Sequence, residues 1–303
     1  MNNHITADTL ADIIVGFGYK IKTKTSKSLT ILVTGSRYER IDELTRGLSH
    51  LGAEYDSKMS GSSIGGIKVG SLRVLIKSDG KSAGLDVEAK AINDLQSAIT
   101  AAQVASGGPI TLRVGKRTIK DVVGVEKTNG TPKSDFHLVN SSGKAVCFIS
   151  HKKGSKPNDF QQWGGMTEKE IASHKEVIAF AAEAKAKFGD KMPPGTSVYK
   201  KITDKKLKGM SVFGVNYGGQ PGINNVDVLL QGDPGVKEVS PGQFVLTANH
   251  VHYNGDIPDG GFEPVMSLIY KGDRTNLGVK GGRASIYPIA GRKMIDIKDY
   301  KRK

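Results

Sequence analysis

The run Asp135-Phe-His-Leu-Val-Asn-Ser-Ser-Gly-Lys-Ala-Val-Cys-Phe-Ile-Ser-His-Lys152 decides how the rest of the chain is read. Two β-forming segments, 135–140 and 145–151, flank Ser141-Ser-Gly143, a turn sequence of the kind that closes hairpins. Side chains alternate along a strand, so Ser150 and Lys152 project to one side and His151 to the other. Pairing of the two strands folds Lys152 back toward Asp135. That aspartate stands at the mouth of the first strand, behind the loop Asn129-Gly-Thr-Pro-Lys-Ser134. His137 shares its parity, which makes it a candidate donor behind the aspartate.

Outward from this hairpin the spacing predicts strands at 110–114 and 118–125, preceded by a helix from Leu85 to about Val104. The apolar stripe of that helix is Leu85, Ile92, Leu95 and Ile99, and spacing by three and four puts Glu88 in the same stripe. A carboxylate on a core-facing stripe is costly without a partner, and a metal ion or a lysine is the usual one. On the other side, Thr167-Glu-Lys-Glu170 reads as a capping box opening a helix that runs to Phe188, with Gly189 and Pro193-Pro194 closing it. The element order over 78–194 is therefore helix, strands, helix.

Two further regions flank this one. Residues 1–77 predict a small α/β unit: a helix at 6–15, strand-like segments at 19–25 and 28–33, and a capping box at Ser36-Arg-Tyr-Glu39. An amphipathic helix follows on Ile41, Leu44, Leu48 and Leu51, ending at Gly52, and then strands at 64–69 and 72–76. Residues 195–303 read as β-rich and basic, with strands at 211–215, 226–230, 243–248 and 265–270 expected to extend or flank the central sheet.

Charge narrows the function. Lys and Arg number 44 against 30 acidic residues, a net of +14 with a pI near 9.6. Such an excess draws a protein to a polyanion by long-range attraction and counterion release. Basic residues recur at Lys152, Lys153 and Lys156, at 200–208 and at 283–303, not in one tail. A single cysteine, Cys147, excludes an internal disulfide framework and a cysteine-based zinc cage, which fits a reducing compartment. No apolar run reaches the ~20 residues of a membrane helix, and no basic segment followed by an apolar stretch opens the sequence, so the expectation is a cytoplasmic protein without membrane contact.

Glu88, Asp135 and Lys152 thus converge as one helical carboxylate, one strand-mouth carboxylate and one lysine. Hydrolysis of a phosphodiester needs a cation against the developing charge and a group that holds or activates water, tasks for which these side chains are suited. The arrangement resembles the PD-(D/E)XK nuclease superfamily, through Glu88, Pro132-Lys-Ser-Asp135 and Ser150-His-Lys152, over roughly residues 84–188. That resemblance implies an α/β fold with a restriction-endonuclease-like core of helix, mixed β-sheet and helix. It implies a magnesium-dependent endodeoxyribonuclease, with manganese an acceptable substitute. Glu88 and Asp135 would bind the metal, Lys152 would orient the attacking water, and Gln162, with Gln161 before it, would help hold the site. The departures are two residues between the proline and the aspartate, and Ser150 in place of the second acid. Some restriction enzymes of the superfamily carry S-x-K and recover the carboxylate from a helix; Glu88 is the candidate here, with Glu168 or Glu170 in reserve. The compact, basic character is similar to phage-encoded nucleases. Paired cutting of a duplex would call for a homodimer.

DNA contacts are expected from Lys153 and Lys156, which could grip phosphates, from Trp163, which could stack on or wedge against a base, and from the basic stretch carrying Arg283, Arg292 and Lys293. RNA is not separated from DNA by charge alone. The rival reading is a DNA-binding or virion-associated structural protein on an inactivated nuclease fold, favoured by Ser150. Gly80-Lys-Ser82 lacks the first glycine of a phosphate-binding loop, since position 75 is Leu75. The loop from Gly61 to Gly66 precedes no helix. His250 and His252 share a strand face without an evident third metal ligand.

Overall fold

The computed structural model describes residues 5–33, 37–56, 65–78, 83–130, 132–160 and 162–301. It divides the chain into two compact units, Met1–Asp94 and Leu95–Lys303.

The first unit runs α1 (Ala7–Gly16), β1 (Lys20–Lys24), β2 (Ser28–Val33), α2 (Arg37–Gly47), β3 (Ala53–Tyr55), β4 (Gly65–Val69) and β5 (Leu72–Ser78), then the first half of α3 (Ala83–Ser106). Thr6 caps α1 by accepting the Thr9 amide at 3.2 Å, satisfying one of the amides a helix start leaves free. The strands order β1-β2-β5-β4-β3, with β2 and β5 parallel and the other pairs antiparallel. Leu29, Ile31, Val33, Ile67, Val69, Val74 and Ile76 form one core with Leu10 and Ile14 of α1 and with Ile41, Leu44 and Leu48 near α2. The capping residues Ser36 and Glu39, the glycine loop before β4 and Gly80-Lys-Ser82 lie outside the described residues or side chains.

The second unit holds two sheets. Its elements after α3 are β6 (Ile110–Val114), β7 (Arg117–Lys127), β8 (Phe136–Asn140), β9 (Ala145–Lys152), β10 (Gly164–Gly165), α4 (Lys169–Ala172), α5 (Lys175–Phe188), β11 (Ser197–Lys201), α6 (Lys205–Phe213), β12 (Val228–Gln231), β13 (Gly235–Ser240), β14 (Gln243–Thr247), β15 (His250–Tyr253), β16 (Pro264–Asn276), β17 (Val279–Pro288) and β18 (Ile295–Asp296). Among the described residues the larger sheet orders β13-β14-β6-β7-β8-β9-β12-β15 and the smaller β10-β17-β16-β11-β18. Both mix parallel and antiparallel pairs. Phe180, Phe188, Phe213, Trp163, Leu229 and Ile286 share one buried cluster that includes residues of both sheets.

The expected hairpin is β8–β9, with Phe136 opposite Ile149. Its turn is held by Asn140, whose Oδ1 accepts the amides of Ser142 and Lys144 at 3.2 and 2.8 Å, while Gly143 takes φ +75°, a conformation that favours glycine. Parallel β12 lies beside β9, Leu229 opposite Ser150 and Gln231 opposite Lys152. Strands from beyond residue 195 therefore complete the sheet that carries the hairpin, and the two compact units meet in sequence within α3.

Two segments differ from the sequence expectation. Residues 211–215 begin as the end of α6, not as a strand, because Asp204 accepts the Leu207 amide at 2.8 Å and starts a helix that overrides the β-forming Val212 and Phe213. The helix expected from Thr167 to Phe188 is broken. α4 ends at Ser173, and His174 starts α5 afresh by accepting the Glu176 amide on Nδ1 at 3.3 Å. Glu168 is the N-cap residue of α4 but makes no capping hydrogen bond. No helix among the described residues is long and apolar enough to cross a membrane, which leaves β-barrel spans unaddressed.

Candidate active site

The β8–β9 register sets Asp135 opposite Ser150, since the Asp135 amide donates to the Ile149 carbonyl at 2.9 Å. Facing side chains on the same pleat meet: Ser150 Oγ donates to Asp135 Oδ2 at 3.1 Å. The His151 amide donates to the same oxygen at 2.5 Å. Both donors hold that oxygen, and so the carboxylate, in one orientation. Asp135 Oδ1 accepts no hydrogen bond among the described residues. Ser150 is fully buried, while Asp135 and Lys152 keep part of their surface.

That surface opens into a cavity of about 260 Å³ whose walls include Asp135, Lys152, Gln162, Glu168 and Lys133. Gln162 is held by Arg283 of β17, whose Nη2 donates to Gln162 Oε1 at 2.9 Å. Lys133 donates from Nζ to the carbonyls of Trp163 at 2.6 Å and Ser211 at 3.0 Å, tying the loop after β9 to α6. It keeps some exposure where it borders the cavity, yet protein surrounds it. Burial, and then the charge of Lys152, push its pKa down to about 7 against the pull of Asp135 and Glu168. The cavity thus gathers two carboxylates and two lysines, one of them, Lys152, at the end of a central strand.

His151 points away from this face, as alternation requires. Its Nε2 donates to the Gly232 carbonyl at 2.8 Å, and burial lowers its pKa, so the ring is held neutral. His137 does not reach Asp135. Its Nδ1 pairs with Thr128 Oγ1 at 3.0 Å, and Thr128 in turn pairs with Ser134.

The structure brings Asp135, Ser150, Lys152 and Gln162 together. Glu88 lies in the first unit's half of α3, part-buried, in line with the buried Ala91 and Leu95. The residues lining the cavity all belong to the second unit, and the second carboxylate among them is Glu168.

The expected DNA-contacting residues separate into three groups. Lys153 and Lys156 are exposed on a turn held from inside. Asp159 Oδ2 accepts the amides of Ser155 and Lys156 at 2.7 and 2.8 Å. Buried Gln231 donates to the Lys153 and Lys156 carbonyls at 3.2 and 2.7 Å, and His250 donates to the Ser155 carbonyl at 3.0 Å. Trp163 is a correction: only 1% of it is exposed, its Nε1 donates to the Phe262 carbonyl at 3.0 Å, and its ring packs edge-on to Phe160 and His252. A base cannot stack on a ring so enclosed. Arg283 is committed to Gln162, whereas Arg292 and Lys293 line a different, larger cleft of about 1050 Å³ beside Pro193, Pro194 and Tyr300.

The donor set can be tested against a divalent cation. Among the described residues no group of three or more His, Cys, Asp and Glu side chains stands close enough to cage a metal. Magnesium needs no such cage; it keeps several waters and takes one or two carboxylates together with substrate phosphate oxygens. Asp135 and Glu168 are hard oxygen donors, and no imidazole or thiol lines the cavity. The residues present fit magnesium and not zinc or copper.

Sequence comparison finds a similarity of the same kind. The chain is 28% identical over 150 residues to the type II restriction enzyme CviJI of Paramecium bursaria Chlorella virus IL3A, covering 47% of this chain and 41% of that enzyme. The chain therefore spans less than half the length of the relative it matches. No protein-family model matches the chain, and no solved structure matches it.

Proposed function

We propose that this protein is a magnesium-dependent endodeoxyribonuclease whose active site is built on Asp135, Lys152, Gln162 and Glu168, with Ser150 orienting Asp135. The observation that carries the reading is the cavity at the end of β9. Two carboxylates and a strand-end lysine border one solvent-accessible space there, and one aspartate oxygen is held by Ser150 and His151 while the other has no partner among the described residues. The similarity to a restriction enzyme and the excess of positive charge support DNA as the substrate.

Asp135 and Glu168 would hold the metal ion, which when bound supplies charge neutralisation at the phosphate and a more acidic water. The chain's own groups do the rest. Ser150 and the His151 amide fix the Asp135 carboxylate in one orientation. Lys152 offers a cation beside the scissile phosphate and holds the attacking water by hydrogen bond. Gln162, braced by Arg283, offers an amide at the cavity wall. Lys153 and Lys156, on a turn rigidified by Asp159, Gln231 and His250, grip neighbouring phosphates without ordering a loop at the moment of binding.

The test is incubation of the purified chain with supercoiled plasmid, in magnesium or EDTA, beside Lys152→Ala. Magnesium-dependent nicking or linearisation that the variant loses is the expected result. A salt-sensitive gel shift without cutting would instead favour a DNA-binding protein on an inactivated fold, and cleavage that requires 2′-hydroxyls would favour RNA.

A further inference from the structure

We propose that the outer face of the first unit's sheet is a separate binding surface for the phosphate backbone of duplex DNA, carried by Lys20, Lys68, Arg73 and Lys77. The inference rests on the reading that the chain acts on DNA. The helices α1 and α2 share a core with one face of that sheet, the face of Ile31, Val33, Val74 and Ile76. Alternation turns their strand neighbours the other way. The register then fixes two rows. Lys20, Leu32 and Lys77 stand abreast across β1, β2 and β5, and Ser28, Arg73 and Lys68 stand abreast across β2, β5 and β4. All four cations are exposed.

Charge in this unit is segregated. Residues 1–94 carry 13 Lys and Arg against 11 Asp and Glu, so the unit as a whole is nearly balanced. The helix side holds exposed Asp8, Asp12, Asp42 and Glu43, and among the described residues of α2 Arg40 pairs with Glu43 at 2.7 Å and Arg46 with Asp42 at 2.7 Å. A bulge between Ile21 and Thr23 brings Lys24 opposite Leu29, and Lys24 pairs with Asp8 at 2.5 Å. Lys20, Lys68, Arg73 and Lys77 make no ion pair among the described residues. The register sets Glu54 opposite Lys68, and at the edge of the sheet Lys20 borders a pocket that Arg40 and Glu43 also line. Among the described residues, the unit pairs the cations of α2 and leaves these four of the sheet face without an ion pair, which presents a polyanion-binding face.

The shape selects the form of polyanion. The strand residues of this face include no aromatic side chain on which the bases of a single strand could stack. What remains is backbone contact. With ~3.3 Å per residue and ~4.8 Å between strands, Arg73 and Lys77 stand about 13 Å apart along β5, and Lys20 and Lys77 about 10 Å apart across the sheet. The separation of the rows is comparable to the ~12 Å width of the major groove, so the rows suit the phosphates on its two borders.

The test is the salt dependence of duplex binding by the full chain in EDTA, where cutting is suppressed. It compares wild type with the variant Lys20→Gln, Lys68→Gln, Arg73→Gln, Lys77→Gln, and with the control Arg40→Gln, Arg46→Gln from the helix side. Each phosphate contact contributes ~0.9 to the slope of log K against log salt, so four contacts make wild type lose about 150-fold more affinity than the variant between 50 and 200 mM salt. The control is expected to keep the wild-type slope. Circular dichroism and thermal melting check that all proteins are folded. An unchanged slope in a folded variant overturns the proposal while leaving the nuclease reading intact. Loss of slope on single-stranded DNA only overturns it as well. A wild type that fails to bind duplex at low salt overturns both readings together.

Discussion

His252→Phe is expected to make the second unit more resistant to acid. The His252 ring lies edge-on to Trp163 at a centroid distance of 5.5 Å, packs on Phe262 at 5.1 Å, and its buried Nε2 has no hydrogen-bond partner among the described residues. Burial, with the neighbouring His250 adding to it and Asp259 opposing, drives its pKa from 6.5 down to about 4. The unfolded chain therefore takes up a proton below pH 6.5 that the folded chain refuses until about pH 4. Stability is full above the unfolded value and falls as pH drops through this window. At pH 5 the linkage amounts to about 2 kcal/mol; part of the ring remains in contact with solvent, and screening brings the expectation to about 1–2 kcal/mol. Phenylalanine keeps the aromatic packing and removes the titration. The assay is urea unfolding at pH 7.5 and pH 5, followed by the fluorescence of Trp163, the single tryptophan of the chain and a direct neighbour of the ring. Other acid-sensitive groups, such as Asp159 and Glu176, are common to both proteins and cancel in the difference. If wild type and variant lose the same stability between the two pH values, the burial argument is refuted.

Asp135→Asn is expected to abolish magnesium-dependent cleavage while duplex affinity changes little; a normal magnesium titration of activity would remove Asp135 from the metal site. Glu168→Gln should suppress cleavage far more than Glu88→Gln does, as measured on supercoiled plasmid, and the reverse order would move the second carboxylate to α3. Trp163→Ala should destabilise the second unit by about 3–5 kcal/mol, the usual cost of emptying a large buried aromatic site, as read by calorimetry. Trp163→Phe should leave the salt dependence of DNA binding unchanged, and a lost affinity at constant stability would return the tryptophan to the DNA interface.

What could be read from sequence was local. The β8–β9 hairpin has its strands, turn residues and side-chain parity within 18 consecutive positions, so the shared side of Ser150 and Lys152, the return of that strand toward Asp135 and the opposite direction of His151 were legible from pairing and alternation. The α/β character of the first unit was legible for the same reason. The neighbours of the hairpin were not. β12 lies beside β9 from almost 80 residues further on, and Val228-Leu-Leu-Gln231 carries no mark of that address. Glu168 looked like part of a capping box because Thr167 and Glu170 have the right spacing. A helical stop at Ser173 and a new start at His174 leave its side chain on the cavity wall instead. Lys133 gave no periodic signal, since its two carbonyl partners come from a loop and from α6. Trp163 was ambiguous because a glycine-rich, lysine-flanked tryptophan reads alike whether it faces a base or a core.

Ser150 bears most directly on whether the site is active or decayed. An acid at this position would place a second carboxylate where the serine hydroxyl now lies 3.1 Å from Asp135 Oδ2, on a strand residue with no exposed surface. Two like charges so close and so enclosed would repel each other strongly. Serine removes that repulsion: its hydroxyl donates to Asp135 and, with the His151 amide, fixes the carboxylate. The other carboxylate on the cavity wall is Glu168, exposed at the start of α4, and in the proposed function it takes the place of the second acid. An aspartate held in one orientation by Ser150 and the His151 amide, a bordering lysine and an arginine-braced glutamine meet around one cavity, and their convergence supports the reading as an enzyme over that as an inert scaffold.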